Sequence, residues 1–178
     1  IRVGGDGANQ DEIDFDTIFA NNSATGVGNF GNSYHRRASV NNHNWYGLLS
    51  NLSLDVADNW DVNIGFDGRT YTGDHFRQLN DLLGLTSYQD NFGTDRPSDY
   101  SFTNEYEADP WAALFSSAGE EDRYQYDYSE TINYLGGFGQ AEYSADGFSA
   151  FVQGAVSTQS YQREGRFVGT SGDGLGKS

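Results

Sequence analysis

Two segments of this chain alternate apolar and polar residues around a short turn, and this alternation constrains the fold more than any other feature. In residues 44–72, alternate positions from Tyr46 to Val56 are mostly apolar, and the positions between them are mostly polar. The alternation resumes at Trp60 after Ala57-Asp58-Asn59, where Asx residues suit a tight turn. A period of two on both sides of a short turn predicts an antiparallel hairpin.

The second segment, residues 131–161, has the same organisation around the turn Ser144-Ala145-Asp146-Gly147. Its return strand alternates from Phe148 to Val156. The incoming strand is less regular because it contains three closely spaced glycines, which weaken a strand and often mark a bend or a close approach. We predict a second hairpin here.

The rest of the chain is predicted to be loop, and it holds most of the acidic residues. Two short helices are predicted within the central loop. Apolar residues at helical spacing indicate one from His75 to Leu83, and Asp109-Pro110-Trp111 resembles an N-cap followed by proline at the first helical position. Loops of this length are uncommon inside a small globular domain.

Charge and composition exclude several classes of protein. The chain has 26 acidic and 10 basic residues and a formal charge of −16, so it lacks the cations that a nucleic-acid partner requires. It has no cysteine and no GxSxG, phosphate-loop or HExxH motif, so we predict neither a thiolate metal site nor an enzymatic activity. The mean hydropathy of −0.68 argues against a spanning helix, but spanning β-strands contact lipid only at every second residue.

Both short turns lie at one end of their strands and every other connection is long, an asymmetry typical of outer-membrane β-barrels. Trp60, Tyr143 and Phe148 flank the short turns on the apolar face, where aromatic residues would form an interface girdle. The opposite positions would then face a lumen. A soluble β-sandwich also alternates apolar and polar residues, and it remains the alternative architecture.

Four strands cannot close a barrel, since the smallest single-chain barrels have about eight. The chain is therefore predicted to be all-β: a segment of a larger antiparallel transmembrane β-barrel, with two hairpins and long extracellular loops. The predicted segments are an extracellular loop at 1–41, a hairpin at 42–72, a long extracellular loop at 73–130, a hairpin at 131–161, and the start of the next extracellular loop at 162–178.

The hairpin sequences also carry a family resemblance. The stretches 41–54 and 63–75, the turn Asp58-Asn59-Trp60 and the stretch 132–151, with GGFGQAEYS as its most particular part, resemble adjacent barrel strands of TonB-dependent outer-membrane receptors of the Bacteroidota type. This resemblance implies active import of a scarce ligand (an iron chelate, cobalamin, a glycan or a peptide) through a plugged barrel of roughly 22 strands.

The implied location is the bacterial outer membrane, with the loops facing the cell exterior. The implied partners are membrane lipid, the protein's own plug domain and remaining barrel, the TonB complex and, in some cases, a surface lipoprotein; no cofactor is implied. Two alternatives stay open: a secreted acidic β-sandwich module that binds carbohydrate, and a smaller outer-membrane porin.

Candidate ligand contacts lie in the loop 73–130, which combines arginines with aromatic residues. Aromatic faces and guanidinium groups suit sugars, peptides or chelates. The alternative is that the same side chains pack the loops against one another. The predicted ligand-binding residues are Arg77, Arg96, Trp111, Arg123, Tyr124 and Tyr126.

No metal site is predicted. The three histidines have no ligand-motif spacing. An acidic cluster near the start could bind calcium, but it lacks EF-hand spacing, so a solvated loop is favoured. These residues are His35, His43, His75, Asp11, Glu12, Asp14 and Asp16.

Overall fold

The computed structural model describes residues 13–90, 96–167 and 174–177. These residues are mostly β-strand, with two α-helices and a short 3-10 helix at Glu120–Asp122. In chain order the elements are α1 (Phe15–Thr25), β1 (Val27–Asn29), β2 (Arg36–Ala57), β3 (Trp60–Asp81), β4 (Ser87–Gln89), β5 (Ser101–Phe102), α2 (Pro110–Phe115), β6 (Asp127–Ala145), β7 (Phe148–Gly165) and β8 (Gly174–Lys177). In the described part of the chain, no helix is both long enough and apolar enough to cross a membrane.

The strands form two sheets. The larger has the order β2-β3-β6-β7-β8, in which β7 and β8 pair antiparallel, and the smaller has the order β1-β4-β5, in which β1 runs parallel to β4. Both predicted hairpins are present, as β2–β3 and β6–β7, with turns at residues 58–59 and 146–147. The prediction of a mostly β, antiparallel fold is confirmed at this level.

Several predicted loops contain regular structure. The first predicted loop includes α1, β1 and the start of β2, and β3 continues to Asp81. The helix predicted from His75 to Leu83 is therefore wrong, because strand pairing and the burial of Phe76 and Leu79 override the local spacing of apolar residues. The helix predicted at Asp109 is confirmed: its carboxylate accepts hydrogen bonds from the backbone N–H groups of Trp111 (2.8 Å) and Ala112 (3.0 Å).

The chain divides into two compact units. The core unit consists of the described residues within 1–42, 74–128 and 165–171, and the sheet unit consists of those within 43–73, 129–164 and 172–178.

The core unit contains all of the buried hydrophobic side chains found among the described residues. They form two main clusters around β3, β4 and β5. The first comprises Leu79, Leu82, Leu85, Tyr88, Phe102 and Tyr124, and the second comprises Val40, Phe76 and Ala118.

A fully buried carboxylate, that of Asp127, joins several segments of the core unit. It accepts hydrogen bonds from the guanidinium groups of Arg123 (3.0 Å) and Arg166 (2.8 Å). The backbone N–H of Arg166 also donates to the Asp127 carbonyl (2.9 Å). Since a buried charge is tolerated only when it is paired and hydrogen-bonded, these contacts explain how Asp127 can be buried.

The sheet unit differs in that most of its large apolar side chains are exposed. Val156 is 77% exposed and Leu48 is 65% exposed, and every buried hydrophobic side chain described for this chain lies in the core unit. At the turns, the backbone N–H of Ser144 donates to the carbonyl of Asn59 (2.9 Å). The sheet unit is thus ordered mainly by its strand ladder and not by a core of its own.

One close packing contact does occur within this sheet. Gly65 lies under the ring of Phe138, and a Cβ at this position would overlap the ring. Covering a strand glycine with an aromatic side chain of the neighbouring strand helps to fix strand register.

Replacing Gly65 with alanine should therefore displace the Phe138 ring and destabilise the sheet by about 1 kcal/mol, because overpacking forces side chains out of their preferred rotamers. Gly154→Ala is the matched control, since a Cβ at Gly154 has no neighbouring atom within 4 Å. Urea unfolding measures the free energy of unfolding of the two variants and of the original chain. An equal decrease in both variants would contradict the contact between Gly65 and Phe138.

Candidate ligand-binding site

A cavity of about 630 Å³ lies in the core unit. Its volume falls within the range of small-molecule sites. The residues that line it come from the turn after β1, the start of β2, the end of β4 and the segments before β5 and β6: Asn29, Phe30, Arg37, Gln89, Asp90, Ser98 and Gln125. We call this cavity the core-unit pocket.

Gln125 is the central polar residue of the pocket. Its Oε1 accepts hydrogen bonds from Arg37 (3.1 Å) and from Arg77, and its Nε2 donates to Asp90 (2.6 Å). Its backbone has a φ of +66°, in the left-handed region that residues with a Cβ rarely adopt. Such a conformation costs about 1–3 kcal/mol and persists only where the surrounding structure enforces it. The backbone N–H of Tyr126 donates to the Tyr124 carbonyl (2.8 Å) and closes a three-residue turn around Gln125, while the side-chain hydrogen bonds hold the carboxamide in place.

Phe30 is presented to solvent by an ordered turn. Its side chain is 92% exposed. The turn is held by the Asn29 carboxamide, which accepts from the Gly31 N–H (2.9 Å), and by Asn32 Oδ1, which accepts from the Asn29 N–H (2.7 Å). Ser33 Oγ also donates to the Asn29 carbonyl (3.0 Å). The backbone that carries this exposed ring is therefore fixed.

A histidine and two tyrosines pack in the same unit, close to these charged groups. The His35 ring lies 3.9 Å from that of Tyr88, and His35 Nε2 is hydrogen-bonded to the Tyr124 hydroxyl (3.0 Å). Burial, reinforced by the positive charge of Arg37, lowers the pKa of His35 to about 4. Burial also raises the pKa of Tyr88 to about 12 and shifts the pKa of Tyr124 upward. All three groups are therefore neutral near pH 7.

Three of the predicted ligand-binding residues, Arg77, Tyr124 and Tyr126, lie beside this polar network. Arg77 donates to Gln125 Oε1, and its guanidinium lies 4.9 Å from the centre of the Tyr126 ring. Tyr124 has none of its surface exposed, so its ring contacts only protein in the described structure.

The other predicted residues are placed differently. Arg96 donates to the Arg123 carbonyl (2.7 Å) and lies 4.6 Å from the Tyr100 ring centre. Arg123 donates to the Ala118 carbonyl (2.9 Å) as well as to Asp127. Trp111 lies on α2 with 73% of its surface exposed. The structure thus engages both arginines in contacts within the protein and does not place Trp111 among the residues that line the core-unit pocket.

Sequence reasoning missed the residues that line the pocket, including Phe30, Arg37, Asp90 and Gln125. The only signal for Phe30 was its position between two Gly-Asn pairs, since such residues favour a turn. Gln125 carried no signal, because the partners of its carboxamide are 35, 48 and 88 residues away in the chain.

The three histidines have separate partners: His35 has Tyr124, His43 has Tyr71, and His75 has Asn41. Asp14 caps α1 by accepting from the Thr17 N–H (2.9 Å) and hydroxyl (2.6 Å), and these hydrogen bonds lower its pKa. Asp11 and Glu12 lie outside the described residues. Within residues 13–90, 96–167 and 174–177, no cluster of three or more side chains could hold a metal ion.

Comparison of this chain with protein-family models, with curated proteins and with solved structures found no match.

Replacing Gln125 with alanine should lower the free energy of unfolding by about 1–3 kcal/mol, because hydrogen-bonded partners at Arg37, Arg77 and Asp90 lose its carboxamide. Gln125→Gly should recover about 1 kcal/mol of that loss, because glycine adopts a positive φ without strain. Urea unfolding of the three chains tests both effects. A glycine variant less stable than the alanine variant would contradict the strain at this position.

The buried His35 predicts a pH-dependent stability. Its pKa is near 4 in the folded chain and near 6.5 in the unfolded chain, so between these values the unfolded chain binds more protons. The contribution of neutral His35 is therefore fully present above about pH 6.5 and is lost as the pH falls towards 4. Relative to His35→Gln, the original chain should lose stability over this interval when urea midpoints are measured at each pH. Parallel curves of urea midpoint against pH for the two chains would contradict a buried, neutral His35. The charged groups that act on His35 are Arg37, Arg77 and Asp90.

Proposed function

We propose that this chain is part of an outer-membrane TonB-dependent transporter, which imports a scarce ligand such as an iron chelate, cobalamin, a glycan or a peptide through a plugged β-barrel. The observation that carries the proposal is the sheet unit, whose strands expose apolar side chains while the described hydrophobic core lies elsewhere. Water disfavours such a surface, whereas lipid does not.

The exposed apolar residues follow the two-residue period of the strands. Side chains at alternate positions share one face of a sheet, so this periodicity gathers them on one face. The exposed large residues of this face are Tyr46, Leu48, Leu52, Leu54, Val56, Trp60, Ile64, Phe66, Leu135, Phe148, Val152 and Val156. A soluble β-sandwich would bury such a face against a second sheet.

The opposite face is predominantly polar and has contacts of its own. Arg69 makes a bidentate ion pair with Asp67, with distances of 2.6 and 2.8 Å, and its guanidinium lies 5.7 Å from the centre of the Tyr134 ring. Five exposed apolar or aromatic side chains also lie on this face: Trp45, Leu49, Phe138, Phe151 and Tyr161. If this face lined a barrel lumen, a folded plug domain would contact both its charged and its apolar side chains.

The aromatic residues at the two short turns also support a membrane-spanning sheet. Trp60 and Tyr143 flank the two short turns with their ring centres 5.2 Å apart. Aromatic pairs at this level of a strand are typical of the girdle at a membrane interface. The strand order β2-β3-β6-β7-β8 follows the order of the chain, as it does in an up-and-down barrel.

The remaining parts of the proposal depend on the resemblance of the hairpin sequences. They are the plug, the TonB complex, the outer-membrane location and a surface lipoprotein partner. Five strands are fewer than the roughly eight of the smallest barrels, so the proposal requires further strands from the same protein.

A lysine at Val152 tests whether this face contacts lipid. Val152 is the fifth residue of β7 and is 69% exposed, so in the interior of a membrane its replacement by lysine should cost about 2–4 kcal/mol. Gln153→Lys, on the opposite face of the same strand, is the matched control. The measurement is the amount of full-length protein that is folded in outer-membrane fractions.

We expect Val152→Lys to reduce this amount strongly and Gln153→Lys to leave it nearly unchanged. In a soluble module, lysine at an exposed valine would be tolerated. Equal yields of both variants, or recovery of the full-length protein in the soluble fraction, would therefore refute the proposed function.

A further inference from the structure

The charges of the core-unit pocket offset one another. Arg37 donates to Gln125 Oε1 while Asp90 accepts from Gln125 Nε2, so one carboxamide connects a cation and an anion. The whole chain carries a formal charge of −16, which disfavours an anionic ligand. Among the described residues that line the pocket, Arg37 and Asp90 are the charged ones and their charges cancel, so these residues offer no excess negative charge for a cation.

The other polar groups of the pocket are neutral and can both donate and accept hydrogen bonds. Carboxamides of Asn29, Gln89 and Gln125 and the hydroxyl of Ser98 line it. The Gln89 carboxamide is oriented, because its Nε2 donates to Ser101 Oγ (3.1 Å) and to the Asp99 carbonyl (3.3 Å). Groups of this kind match a ligand whose own hydroxyls both donate and accept.

The aromatic residue among the described residues that line the pocket is Phe30, whose flat ring lies beside these polar groups. Phe30 is almost fully exposed although its turn is held by three hydrogen bonds, so the exposure does not result from a loose backbone. A rigid aromatic face beside hydroxyl-binding groups fits a ring that has polar edges and an apolar face.

We propose that the core-unit pocket binds a neutral saccharide. Phe30 stacks on the apolar face of a sugar ring, and Arg37, Asp90, Gln89 and Gln125 bind its hydroxyls. The hydrogen bonds that hold the turn and the carboxamides in place reduce the entropy lost on binding. Import of the saccharide rests on the proposed function, whereas binding in the pocket does not.

The test uses the full-length protein, purified in detergent, and isothermal titration calorimetry. The probes are the neutral tetrasaccharides maltotetraose, cellotetraose, mannotetraose and xylotetraose, with sialyllactose as an anionic comparator and tetraalanine as a peptide comparator. We expect at least one neutral tetrasaccharide to bind more tightly than either comparator. Failure of all four to bind, or tighter binding of a comparator, overturns the proposal.

Two matched substitutions locate the site. Phe30→Ala should weaken saccharide binding by about 3- to 10-fold, the usual contribution of an aromatic contact. Phe115→Ala should change it less than about 2-fold, because Phe115 is 88% exposed on α2 and does not line the pocket. Arg37→Ala should also weaken binding. Equal effects of Phe30→Ala and Phe115→Ala would show that the saccharide binds elsewhere and would overturn the assignment.

The outcome is separate from that of the membrane test. Saccharide binding by a protein that tolerates Val152→Lys and remains soluble would support the pocket and refute the transporter. A membrane-inserted protein that binds none of the four tetrasaccharides would support the transporter and refute saccharide binding in the pocket.

Discussion

The buried carboxylate of Asp127 is the interaction on which the core unit depends. It accepts hydrogen bonds from the guanidinium groups of Arg123 and Arg166. The guanidinium group of Arg96 in turn donates to the Arg123 carbonyl. Removing one partner of a buried ion pair typically costs 3–5 kcal/mol, because the other charge remains buried. Three of the ten basic residues of this acidic chain therefore stabilise the fold. Arg37 is the basic residue among the described residues that line the pocket.

The strand hairpins could be predicted from the sequence because alternation is a local property. The cap at Asp109 was equally local. The helix predicted from residue 75 failed because apolar residues at positions such as Phe76 and Leu79 fit a helical stripe as well as the end of a long strand, and only tertiary packing decides between them. The pocket could not be predicted, since Gln125 acquires its partners only when distant segments fold together.

The two units differ in how they are stabilised. The core unit buries aromatic and aliphatic side chains and satisfies its buried polar groups; Asn22, for example, donates to the carbonyls of Tyr34 (2.7 Å) and Leu83 (3.0 Å). The sheet unit has long strand ladders and an exposed apolar face. One chain thus combines a unit that has a hydrophobic core with a unit whose large apolar side chains are mostly exposed. Its mean hydropathy averages over both units and distinguishes neither.

The packing of residues 82–90 and 96–126, which lie between β3 and β6, also has a consequence for the order of folding. Each hairpin closes through a two-residue turn, but pairing β3 with β6 requires closure of this whole connection. For a flexible chain of that length, closure costs about 3 kcal/mol in entropy. Because the connection contains buried clusters and the contacts of Asp127, its own collapse shortens the distance that diffusion must cover. The two hairpins are then already close together when β3 and β6 pair.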